Sequence, residues 1–145
     1  MPSASGVRGA KERPVSKRET PMTERYWNGE GTLVLEFLAV RRSPTNGYRI
    51  IDGVILPDGE SKKAHWRDVD IRGKDVICVQ TKASRVGMYL LGQALFSRAL
   101  LLRECGARSV RTVALCTKGD SVLEPIAAEY GVEVVVMDPP PPKDS

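Results

Sequence analysis

Two runs of the chain, TLVLEFLAV at 32–40 and YRIIDGVIL at 48–56, are apolar at nearly every position rather than at every second one. Side chains of a strand alternate between faces, so such runs present apolar groups on both faces and need cover on both. A sheet with layers on either side is therefore required. The intervening RRSPTNG carries a Pro and an Asn-Gly pair and reads as a hairpin turn. DVICVQTKA (75–83) reads as a third strand, and SVRTVALCT (109–117) and VEVVVM (132–137) as two more. The polar segment PDGESKKAHWRDVDIRGK (57–74) reads as a loop.

Three helices complete the pattern. Thr20 and Pro21 open a short one that runs through Met22, Tyr26 and Trp27 and stops at Gly29. From Arg85 to Cys105 the chain is apolar on nearly every side, which predicts a long helix packed between layers and ended by Gly106. SVLEPIAAEYG (121–131) predicts a third, with Ser121 and Glu124 as its capping box and Gly131 at its end. The order α, β, β, β, α, β, α, β predicts an α/β fold: a mixed sheet with helices on both faces, in which an antiparallel hairpin feeds a third strand and a βαβ unit closes the chain.

With 145 residues, 41% of them hydrophobic, the chain has the size of one domain. Residues 1–19 mix Ser, Gly, Pro and charge and read as a disordered basic arm, 20–137 as the single folded domain, and 138–145 (DPPPPKDS) as a disordered Pro-rich tail. The formal charge of +4 invites a polyanionic partner. Residues 1–20 hold +3 of it, however, so global charge says little about the folded part. Cys78, Cys105 and Cys116 are odd in number and widely spaced, which argues against a disulfide framework or a zinc site. No apolar stretch approaches the roughly 18 residues of a membrane span, and the N-terminus has no signal-peptide core, so a cytoplasmic protein is expected.

Polar residues interrupt three of the apolar strands: Glu36 in the first, Asp52 in the second, and Gln80 with Lys82 in the third. A lone buried carboxylate costs several kcal/mol unless it is paired, hydrogen-bonded or bound to metal. Gln80 and Lys82 share one strand face. The plain reading of Asp52 and Lys82 is a structural ion pair at a strand end. The alternative is that Asp52, Glu36 and the Gln80 side-chain oxygen surround a hard divalent cation with Lys82 beside it.

That alternative resembles a known pattern. An acidic residue in the second strand, Ile51-Asp52, followed by a tripeptide ending in Lys on the third, Gln80-Thr81-Lys82, inside an α-β-β-β-α-β core, is similar to the PD-(D/E)XK nuclease superfamily, with a restriction-endonuclease-like core and a C-terminal α-β extension. Gln93, on the helix after the lysine, is similar to the Gln of the RecB-like and Holliday-junction-resolvase-like members, where a Tyr often follows one turn later; here Ser97 stands in its place. The chain departs from the family pattern at Ile51, where a Pro is usual, and at Gln80, where an acid is usual.

The resemblance implies a nuclease that hydrolyses DNA with Mg²⁺ or Mn²⁺. Its metal ligands would be Asp52, Gln80 and the Thr81 backbone carbonyl, with Glu36 as a further ligand and Glu24 or Glu30 competing for that place. Lys82 would act on the attacking water. Arg85, Gln93 and Arg98 are candidate nucleic-acid contacts, within a segment, 85–111, whose arginines outnumber its one glutamate by four. Cutting two strands implies a homodimer. Two rival readings stand beside this one: a nuclease-fold module with a degraded site that only binds nucleic acid or protein, and a doubly wound protein binding a small molecule at its strand ends. His65 reads as a plain loop residue. Trp66 beside it reads as a loop anchor or a base-stacking ring, and CTKGDS lacks the glycines of a phosphate loop.

Overall fold

The structure, a computed structural model, describes residues 18–139. The expected arm and tail lie outside the described residues except at their inner ends. There Glu19, expected to belong to the arm, instead belongs to the first helix. The fold is α/β: α1 (Glu19–Trp27), β1 (Thr32–Val40), β2 (Arg49–Leu56), β3 (Lys62–Ala64), β4 (Asp75–Arg85), α2 (Met88–Arg103), β5 (Ser109–Lys118), α3 (Leu123–Glu129) and β6 (Val132–Val136). The six strands form one mixed sheet in the order β3-β1-β2-β4-β5-β6. β1 pairs antiparallel with β2 and β2 with β4, whereas β4, β5 and β6 run parallel.

The doubly apolar strands are covered on both sides. On one face Met22 of α1 packs on Leu33, Ile55, Val79, Val113 and Leu115. On the other, Leu101 of α2 closes over Val34, Val54 and Cys78, while Leu90 and Ala94 of α2 and Ala127 of α3 close over Ala114 and Cys116. The crossover from β4 through α2 to parallel β5 is what lays α2 across that face. α1 comes close enough that a Cβ added at Gly53 would meet the Thr23 methyl at 2.9 Å. Only glycine lets the helix approach β2 there.

Four expectations need correction. The 57–74 segment is not simply a loop: Lys62–Ala64 adds a short parallel edge strand to β1, and Trp66–Asp68 forms a 3-10 turn. Three residues with two lysines carry too little apolar pattern to be read as a strand. The cap of α3 is Asp120 rather than Ser121. Its Oδ1 accepts from the backbone N–H groups of Val122 and Leu123 at 2.9 Å each, and Glu124 Oε2 accepts from Asp120 N–H at 2.7 Å. α1 has no side-chain cap. Finally, α2 is not packed between layers. Its inner side meets the sheet, but Met88, Tyr89, Phe96 and Leu102 are exposed.

Thr23 and Thr81, both buried, share a hydroxyl hydrogen bond of 2.7 Å that ties α1 to β4. Removing the Thr23 hydroxyl, which also donates to the Glu19 carbonyl at 3.1 Å, strands that of Thr81 in an apolar layer, which costs about 1–3 kcal/mol, whereas removing both is close to neutral. We therefore expect Thr23→Val to lower unfolding stability in urea by about that amount, and Thr23→Val with Thr81→Val to recover most of it. Additive losses in the double variant would show that the pair does not contribute as a unit.

Candidate functional site

The site lies where β2 and β4 part. Their ladder runs Ile55↔Ile77, Val54↔Cys78, Gly53↔Val79 and stops there. The next position along it places Asp52 opposite Gln80. On the other side of β2, Leu35↔Gly53 and Phe37↔Ile51 bracket Glu36, placing it opposite Asp52. The register thus sets Glu36, Asp52 and Gln80 in one row across three adjacent strands. Three of the residues that interrupt the apolar runs therefore have their backbones side by side.

Beyond Val79 the N–H groups of β4 that would have continued the ladder turn to carboxylates. Thr81 N–H donates to Asp52 Oδ2 at 2.9 Å, and Ala83 N–H donates to Glu19 Oε2 at 3.3 Å. Charge-assisted bonds of this kind replace the lost strand pairing at the opened edge. In a pleated strand the carbonyl of a residue points to the same edge as its N–H, so the Thr81 carbonyl is directed into the same gap. On its other edge β4 stays paired with β5 through Lys82↔Cys116. Only one side has opened.

Glu36 adopts φ 53°, a left-handed conformation in the middle of β1. A residue with a Cβ held there costs about 1–3 kcal/mol, and such strain gathers at functional positions. Its Oε1 is buried. Asp52 is half-buried, and its negative charge reaches Cys78 on the α2 side of the sheet. There burial, with Asp52 adding to it, pushes the Cys78 thiol up to about 12. Cys78 is thereby kept neutral and serves packing.

Gln80 is 4% exposed and donates through Nε2 to Ser97 Oγ of α2 at 2.7 Å. A buried amide needs such a partner. Lys82, two residues on and on the same face, is exposed. Among the described residues no ion pair joins it to Asp52, so the plain ion-pair reading of those two is not what the structure shows.

A cavity of about 430 Å³ opens at the Gln80 end of the row, between α2, the start of β2 and β4. Arg49, Gln80, Gln93, Phe96, Ser97 and Arg103 line it, with Ile51 and Glu104 also at its wall. Gln93 therefore faces the same cavity as Gln80. Ser97, one turn after Gln93, is the residue that holds the Gln80 amide.

Other candidates lie elsewhere. Glu24 pairs with Lys63 of β3, and Glu30 sits exposed in the turn before β1; neither joins the row. The helix glutamate that does reach β4 is Glu19. Arg85 donates to the Gly119 carbonyl at 2.5 Å and Arg98 to the Gly131 carbonyl at 3.3 Å, so both tie loops at the far side of α2. Arg108 pairs with Asp75 and Arg111 with Glu133, which leaves Arg103 as the one arginine of the 85–111 segment in the cavity wall. Trp66 anchors its loop. It packs on the core, with the Arg41 and Arg67 guanidiniums 5.7 and 5.0 Å from its ring centre.

Two residues were missed. Glu19 was hidden by the charged composition of the first 20 positions, and Arg49 by its place at the turn edge of a strand. Only the helix register of α1 could have brought out Glu19.

Among the described residues no three His, Cys, Asp or Glu side chains converge to hold a metal. The donors of the row are nevertheless all hard oxygens: two carboxylates, an amide carbonyl and a backbone carbonyl. That set suits a weakly held Mg²⁺ or Mn²⁺ that keeps much of its water, and no soft metal. Among the described residues no helix is long and apolar enough to cross a membrane. Compared with protein-family models, curated proteins and solved structures, the chain gives no significant match.

If the left-handed turn at Glu36 is strained by its Cβ, glycine relieves it and alanine does not. Glu36→Gly is expected to be more stable than Glu36→Ala by about 1 kcal/mol in urea unfolding. Both variants lose the carboxylate, so the difference isolates the backbone; a more stable Glu36→Ala would remove the strain argument.

Proposed function

We propose that this chain is a metal-dependent nuclease of restriction-endonuclease-like architecture that hydrolyses phosphodiester bonds of DNA. The observation that carries the reading is the single row Glu36, Asp52 and Gln80 at the point where β2 and β4 separate, with Lys82 next along the same face as Gln80. A sheet opened at one edge and filled with oxygen donors is a poor arrangement for stability alone, since it forfeits strand pairing and gathers negative charge.

Asp52, Glu36, the Gln80 side-chain oxygen and the Thr81 carbonyl are the groups that would hold Mg²⁺ or Mn²⁺. Such an ion supplies a Lewis acid for a phosphate oxygen and lowers the pKa of a bound water. The chain's own part begins with Asp52, whose carboxylate is oriented by the Thr81 N–H. Lys82 offers an exposed ammonium for orienting the attacking water and offsetting charge that grows on the phosphate. The Ser97 bond holds Gln80 in one rotamer, and Arg49 and Arg103 at the cavity wall attract the backbone that flanks the scissile bond. Cleaving both strands of a duplex would engage two copies of the chain.

A second reading, a nuclease-fold module that binds nucleic acid or a partner protein without cutting, is favoured by one observation. Where an acid would add charge, Gln80 is neutral and its amide nitrogen is committed to Ser97.

Incubation with supercoiled, linear, single-stranded and branched DNA, and with RNA, in Mg²⁺, Mn²⁺ or EDTA decides between them. Metal-dependent cleavage that falls at least about 100-fold in Asp52→Asn and in Lys82→Ala is expected. Absence of cleavage on every substrate, with binding retained, would give the second reading.

A further inference from the structure

The outer face of α2 is unusual for a surface helix. Tyr89, Gln93, Phe96 and Arg103 recur at helical spacing along one stripe, and Tyr89 and Phe96 are 78% and 76% exposed. Large aromatic rings left open to water in a row mark a contact surface. The same stripe forms one wall of the cavity beside the carboxylate row, through Gln93, Phe96 and Arg103.

We infer that the cavity under α2 takes one unpaired nucleobase of the nucleic-acid strand, so that the preferred substrate carries single-stranded or displaced nucleotides rather than a continuous duplex. The inference rests on the nuclease reading for its ligand. A nucleotide of that strand has a flat ring, a polar edge and an anionic backbone, and the cavity answers each. Phe96 provides a ring face on which any base can stack. The Gln93 amide provides both a donor and an acceptor, the pair of groups that reads a base edge. Gln80, its amide nitrogen held by Ser97, closes the inner wall toward the carboxylate row. Arg49 and Arg103, against Glu104 alone, give the mouth a net positive charge for the adjoining phosphates. The cavity, at about 430 Å³, has room for a base with its sugar. A base stacked within a duplex cannot enter it; an unpaired one can.

The test uses the full chain in EDTA, so that nothing is cut, with labelled DNA of one sequence as single strand, blunt duplex and duplex with an unpaired tail, the tail also carrying 2-aminopurine. Single-stranded and tailed DNA should bind more tightly than blunt duplex, and the 2-aminopurine emission should be quenched on binding. Phe96→Ala and Gln93→Ala should each weaken single-strand binding about tenfold, Phe96→Ala should abolish the quenching, and duplex affinity should stay unchanged. Both side chains are exposed, so both variants should fold, and Tyr130→Ala, an exposed ring just past the end of α3, should change nothing. Equal affinity for blunt duplex and single strand, or single-strand binding indifferent to Phe96→Ala, would overturn the inference. So would a dimer that Phe96→Ala disperses while DNA affinity holds, since the stripe would then be covered by a second copy. Phe96-dependent single-strand binding by a chain that cleaves nothing in Mg²⁺ would remove the nuclease reading and leave the pocket standing. Cleavage of blunt duplex untouched by Phe96→Ala would do the reverse.

Discussion

The hydrogen bond from Thr81 N–H to the Asp52 carboxylate is the contact on which the rest of the site depends. It substitutes a side chain for a strand at the point where β2 and β4 separate, and so allows β4 to continue to Arg85 with one edge open. Because β4 remains paired with β5 on its other edge, the opening does not propagate into the sheet. Glu19 from α1 meets the next available N–H. Two carboxylates thus terminate a ladder that water would otherwise terminate, and negative charge collects at one defined place.

The helices hold that place from opposite faces. α1 is seated by the Thr23 and Thr81 hydroxyls and by the absence of a side chain at Gly53, one residue from Asp52. α2 supplies Ser97 to Gln80 from the other side. β4 therefore has one contact on each face at consecutive residues, Gln80 and Thr81. A shift of either helix would be felt at the row.

Strands were legible because apolar residues fill both of their faces, a pattern that few other elements produce. TLVLEFLAV coincides with β1, and the polar interruptions Glu36, Asp52 and Gln80 stood out against that background and fall on one row. What escaped reading was set by tertiary context. β3 is a strand only because β1 has an edge for it to join. α2 looked buried because its composition is apolar all round, yet nothing among the described residues covers its outer face. Glu24 was as good a candidate as Glu19 by residue type, and only the rotation of α1 decides that one meets Lys63 and the other β4. Asp120 took the cap because the chain turns one residue earlier than Ser121 requires.

β3 has a consequence for the behaviour of the molecule in a crowded solution. A sheet whose outermost strand is long and flat invites the same strand of another molecule to add to it. Here one border is three residues long and carries Lys62 and Lys63, with Glu60 and Glu24 paired to them. A second chain docking there would meet charged side chains after a single turn of the pleat, and would gain too few backbone bonds to stay. The polar insertion between β2 and β4 thus blunts that border against self-templated growth.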